Sequence, residues 1–221
     1  MAGENYPRSG LTTAESAGGY QVVTAERTGR PAGWDRAHET DALRKAWVVS
    51  RHAALVQHMV GEGLPLDVSW RCALVLVAHY VRECGWGRAE WNFSLGNIRW
   101  TRGWPKAHML KGGDDAELRP YRAYDDLAAG VADAVRLAQH GPKRDHFPEG
   151  IYAPAWALLL GGGAAVDWYD KLLRPAPGVG GWHPWSEQAL AEFRSIHGTV
   201  TRWCGDKPPA AGVAGLAALV A

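Results

Sequence analysis

A chain of 221 residues holds one domain of ordinary size with modest length left for arms, and 24 Lys and Arg against 23 Asp and Glu leave a formal net charge of +1. The two signs are interspersed, so no single-sign field exists to attract nucleic acid or an anionic membrane surface. No apolar run reaches the roughly 20 residues of a membrane-spanning helix, so no membrane span is expected.

Residues 1 to 33 are rich in Gly, Ser, Thr and Pro without hydrophobic periodicity, which predicts a flexible N-terminal arm. The opening MAGENYPRSGLTTAESAGGY lacks a basic segment followed by an apolar core, so synthesis in the cytoplasm without a Sec-type signal is expected. From Asp35 the pattern changes. Ala42, Leu43, Ala46, Trp47, Val49, Ala53, Leu55, Val56, Met59 and Val60 recur at helical spacing until Gly61 and Gly63. A second helix is predicted from Trp70 to about Arg82, with Asp67 or Ser69 as its cap. Cys72 to Ala78 and Val81 make it apolar on nearly every side, the mark of a helix buried in the centre of a domain. Gly85 ends it.

Residues 86 to 120 mix Gly, Pro, Trp and polar residues and predict a loop-rich lobe with a short hairpin. Helical spacing returns at Leu127, Val131, Val135 and Leu137, with Asp125 and Asp126 as caps. Further helices are expected near Ala153 to Leu160, Ala164 to Leu173 and Ser186 to His197. The expected fold is therefore mainly α, with a central buried helix and a small lobe, the core domain running from 34 to 205. Residues 206–221 form a Pro-, Ala- and Gly-rich apolar tail, either a contact peptide or a segment packed on its own domain.

Three cysteines, Cys72, Cys84 and Cys204, lack metal-type or redox-type pairing. No HExxH, CxxC or phosphate-cradling glycine loop occurs. The 12 tryptophans are the compositional outlier, with Trp86, Trp91, Trp100 and Trp104 in one cluster and Trp182 and Trp185 in another. Their flat faces suit core packing and sugar stacking alike. His79 stands four residues before Glu83, where it is half a metal site without a third ligand at matching spacing, or a packed or groove-lining histidine.

Glu83 closes the apolar helix. Partial burial there raises a carboxyl pKa, which suits a general acid that protonates a departing sugar oxygen. The block Glu83-Cys84-Gly85-Trp86-Gly87 followed by Asn92-Phe93-Ser94-Leu95-Gly96-Asn97-Ile98-Arg99 resembles the Glu-Ser-Gly-Trp-Gly and Asn-Leu-Phe-Gly-Ile-Lys elements of lysozyme-like glucosaminidases. These are the flagellar and autolysin peptidoglycan hydrolases of glycoside hydrolase family 73 and related phage enzymes. Gly63-Leu64-Pro65-Leu66 resembles the family's entry into its catalytic helix, and Pro120-Tyr121-Arg122-Ala123-Tyr124 its Phe-Arg-x-Tyr segment. The resemblance spans Trp34 to Thr199, with two departures: Cys84 replaces the usual serine, and Asn97 interrupts the Gly-Ile step.

The resemblance implies a lysozyme-like α+β fold and a cofactor-free endo-β-N-acetylglucosaminidase or muramidase acting on the glycan strands of peptidoglycan at the bacterial cell wall. It implies Glu83 as general acid, with Trp86, Asn92, Ser94, Asn97, Tyr124 and Tyr152 lining the substrate groove. Asn92 is also readable as an ordinary turn residue, and the two tyrosines as core aromatics. An inverting enzyme needs a base roughly 6.5–9.5 Å from its acid; Asp114, Asp115 and Glu117 are the candidates, although a solvated loop charge is the more ordinary reading of each. The alternatives are a lytic transglycosylase, a chitinase, or a catalytically silent glycan-binding component of a phage tail or injection device. The N-terminal arm or apolar tail would anchor the chain to such a device, and a released phage endolysin is the other delivery route.

Overall fold

A computed structural model of the protein describes residues 20–101, 104–111, 118–143 and 146–212. Helix α1, Asp41–Gly61, is opened by Thr40, whose side chain accepts from the Leu43 N–H. A single 3-10 turn, Arg36–His38, capped by Asp35, precedes it. The face of α1 bearing Val48, Leu55, Val56 and Met59 is fully buried.

That face packs on α2, Leu66–Cys84. This helix begins four residues earlier than its apolar pattern suggests, and neither Asp67 nor Ser69 caps it. Pro65 occupies the cap position, and its carbonyl accepts from the Ser69 N–H at 2.8 Å, closing the first turn without a side-chain cap. Asp67 lies inside that turn, where its charge complements the helix dipole. Cys72 through Val81 are all buried, with α1, α4 and α6 packed around them, as an apolar all-round surface requires.

Strand β1, Gln21–Val22, pairs in parallel with β2, Lys106–Lys111, which pairs antiparallel with β3, Leu118–Arg122. The register places Ala107 opposite Arg122 and Lys111 opposite Leu118. The loop-rich lobe is thus built on a hairpin plus a third strand drawn from the expected arm. For residues 20–33 the expectation of a flexible arm is corrected. The Gln21 N–H donates to the Pro105 carbonyl, and that of Val23 to Ala107. Arg30 is buried in a bidentate pair with Glu39, at 2.8 and 3.2 Å. Thr28 Oγ1 donates to Glu90, which also accepts from Trp47 Nε1 and Arg51. Backbone ladders and ion pairs hold this segment, and neither leaves a hydrophobic period to read. Residues 1–19 lie outside the described part.

Helix α3, Leu127–His140, is capped by Asp126; α4 is Ala153–Leu160 and α5 Ala165–Leu173. Helix α6, Glu187–Cys204, is capped by Ser186 and runs nearly two turns past His197, since buried Val200 and the contact of Trp203 with Trp86 extend its packed face. Past it, the Gly205 carbonyl accepts from Trp70 Nε1 at 3.0 Å, which ties the residue before the Pro-rich tail to α2. Residues 213–221 lie outside the described part. Six α-helices and one three-stranded sheet among the described residues make the fold mainly α, with a minor β lobe.

Candidate functional site

Helix α2 stops because Gly85 adopts the left-handed conformation, φ 55° and ψ 55°, while its N–H still reaches the Val81 carbonyl. Only a residue without a Cβ does this at little cost. The chain turns away one residue beyond Glu83's neighbour, so the Glu83 side chain projects from the last turn of a rigid helix. It enters a groove of about 610 Å³. Its lining includes Asn97, Ile98 and Arg99, Tyr121 and Arg122 of β3, with Arg99 bridged to Tyr121, and Tyr152, Trp182 and His183.

The Glu83 side chain is 11% exposed, and its Oε1 lies 2.6 Å from His183 Nε2. His183 comes from the Gly- and Pro-rich segment between α5 and α6. That segment is pressed against α5: the Trp182 N–H donates to the Leu172 carbonyl, and a Cβ on Gly181 would meet the Leu173 carbonyl oxygen at 2.2 Å.

Sequence reasoning expected burial to raise the Glu83 pKa, and that expectation is corrected. Burial does push it up, but the His183 hydrogen bond and the charges of His79, His183 and Arg82 outweigh burial and hold the carboxyl below the usual glutamate range. Burial pushes the pKa of His79 down to about 4, so it is neutral near pH 7 and carries charge only in the acid range where Glu83 titrates. Its Nδ1 stands 4.0 Å from Glu83 Oε1, beyond hydrogen-bond range. The ring lies among Tyr80, Trp168, Tyr169 and Trp182, so His79 is a packed histidine. No cluster of three His, Cys, Asp or Glu suited to a metal occurs among the described residues.

Of the other residues expected in the groove, Asn97 and Tyr152 line it. Asn97 sits at φ 47°, a left-handed conformation that asparagine tolerates better than most residues. Its Oδ1 is buried with no hydrogen-bond partner among the described residues. Tyr152 is 5.7 Å from Trp182, ring centre to ring centre.

The remaining four do not line the groove. Trp86 packs on Trp203 at 5.3 Å. Asn92 spends its amide on the strand-like segment 24–26, accepting from the Glu26 N–H and donating to the Thr24 carbonyl. Ser94 is fully buried, and its Oγ accepts from the Ile98 N–H, so it braces the turn from within. Tyr124 donates to buried Asp133 at 2.6 Å, joining the strand lobe to α3. Asp114, Asp115 and Glu117 lie outside the described residues. Glu83 is the one carboxylate among the described residues that line the groove.

His183 escaped the sequence reading, and Trp182 entered it only as one of the tryptophans suited to packing or sugar stacking. They sit in a segment without period, 100 residues from Glu83. The available signal was GVGGWHPW itself, a tryptophan and a histidine held between glycines and a proline. The chain matches no family model, no curated protein and no solved structure.

Proposed function

We propose that the protein is a glycoside hydrolase that cleaves the glycan strands of peptidoglycan, with Glu83 as the group that delivers a proton to the departing sugar oxygen. The observation that carries this reading is the delivery of one carboxylate from the end of a buried helix into an aromatic-walled groove. Half-buried Trp182 and Asn97 line that groove, with buried Tyr152 beside Trp182 at 5.7 Å, a lining of aromatic and amide groups that suits N-acetylated sugars. The motif likeness of the Glu83 to Arg99 block supports the same substrate class. Action would then be at the bacterial cell wall, delivered by a phage or phage-like device.

A second reading is favoured by one observation: the free protein holds Glu83 ionised against His183, as a silent glycan-binding component would tolerate and a general acid must overcome. A zymogram with purified peptidoglycan separates the two. Wild type clears the gel, and Glu83→Gln loses at least ~100-fold of that activity. Equal clearing by both removes Glu83 from the chemistry. No clearing by either, with glycan still retained in a sedimentation assay, establishes the binding module. Chitin in a parallel lane tests the chitinase alternative. Mass spectrometry of the fragments distinguishes hydrolysis from the intramolecular ether of a transglycosylase.

A further inference from the structure

Glu83 and His183 reach the groove wall from different elements and meet at 2.6 Å. Arg99 and Arg122 line the same groove, and Asp170, Lys171 and Arg174 line a second pocket with His183. From α2 come His79, neutral and outside hydrogen-bond range, and Arg82. From α5 comes Tyr169, whose hydroxyl accepts from Arg82 Nη1 at 2.8 Å, and from α6 comes Glu192, 3.5 Å from Arg82 Nε. Arg82 does not give up its proton near neutral pH. Of these groups, His183 is the titratable one that stands within hydrogen-bond distance of the Glu83 carboxylate, at 2.6 Å.

We propose that His183 loads Glu83 with the proton that glycosidic cleavage consumes, so that the pair, and not Glu83 alone, is the working acid. This rests on the glycoside-hydrolase reading above. In the proposed resting state His183 is doubly protonated, its Nε2–H donating to Oε1 of an ionised Glu83 across 2.6 Å. A sugar that fills the groove expels water from around the two charges, and charge separation out of water is costly. Transfer of the proton from Nε2 to the carboxylate replaces that ion pair with a neutral imidazole and a neutral acid.

Glu83 then passes the proton to the glycosidic oxygen as the bond from that oxygen to the anomeric carbon breaks, the electron pair leaving with the oxygen. The oxygen of an incoming water bonds to the anomeric carbon, and its surplus proton passes to solvent. The His183 side chain is 37% exposed at the groove rim, so solvent reloads it between turnovers. His183 acts only through Glu83 and is a positioning residue.

Two measurements on the full chain test this. Nitrogen-15 NMR reads the protonation state of the two His183 ring nitrogens in Glu83→Asp and wild type, with and without saturating oligosaccharide. A neutral imidazole in the wild-type complex is expected, and an imidazolium retained in that complex overturns the transfer. The second is the pH profile of kcat/KM on soluble peptidoglycan oligosaccharides for wild type and His183→Gln. Glutamine keeps an N–H donor but does not titrate, so the alkaline limb is expected to move to lower pH.

A profile of unchanged shape, merely scaled down at every pH, marks a structural contact and overturns the loading step alone. A wild type that cleaves no glycan at any pH overturns the hydrolase reading and the delivery step together.

Discussion

Among the residues that line the groove, Asn97 Oδ1 and Arg122 Nε are buried without a hydrogen-bond partner among the described residues. A buried acceptor without a donor costs about 1–3 kcal/mol, so something outside the protein must repay it or the residue is a liability. Asn97→Gly tests which. Glycine keeps the φ of 47° without strain and removes only the amide. If the amide serves a ligand, the variant unfolds at the same or a higher urea concentration while KM for the oligosaccharide rises about tenfold, the worth of one hydrogen bond. An unchanged KM assigns the residue to turn geometry only. This part of the site was half legible in the sequence. Asn92 and Asn97 look alike there, two polar residues in one turn. What separates them is which way the backbone points each amide, and Asn92 finds the carbonyl of Thr24 in a segment whose packing had no sequence signature. The Glu83 partner was illegible for a like reason: a loop held by two backbone contacts to α5 leaves no period to read.

At the scale of elements, helices with a continuous apolar stripe were readable, and the ends were readable where a side chain caps them, as Asp126 and Ser186 do. The start of α2 was not, because a proline carbonyl and not a side chain closes its first turn. The contact of α3 with the turn that walls the groove depends on Gly130, where a Cβ would stand 2.0 Å from the Phe93 carbonyl oxygen. In an exposed helix interior, Gly→Ala stabilises by up to about 1 kcal/mol. Here the sign reverses. Gly130→Ala is expected to destabilise by roughly 1–3 kcal/mol through overpacking against backbone, seen as a lower urea midpoint. It should also weaken oligosaccharide cleavage, because the same push displaces Phe93 and the turn that ends at Asn97. A midpoint equal to or above wild type shows that α3 and the turn are not in close contact. The Glu90 anchor gives a second expectation at this scale. Glu90→Ala leaves Arg51 buried without its carboxylate and costs about 3–5 kcal/mol by urea denaturation.

For the molecule as a whole, the buried histidines set its response to acid. His52, His79 and His108 are each about 1% exposed or less, and burial pushes the pKa of each down to about 4 from the ordinary 6.5. Between those values the unfolded chain binds protons that the folded chain refuses, so stability is lost as pH falls from 6.5 toward 4. Each histidine withdraws on the order of 3 kcal/mol at most by pH 4, and three such losses rival the 5–15 kcal/mol that holds a domain folded. Glu39, Glu83 and Asp133 act later. Their partners hold them below the usual carboxylate range, so their contribution is present above about pH 4.5 and fades as pH falls through their lower folded values. The urea midpoint is therefore expected to decline from pH 7 to pH 4.5, before those carboxylates matter. His108 is the cleanest probe, because its ring stacks on Tyr121 and neither nitrogen finds a partner among the described residues. His108→Phe keeps an aromatic ring in place and cannot titrate. It should match or exceed wild type at pH 7 and lose less stability on acidification, and parallel declines would place the acid sensitivity elsewhere.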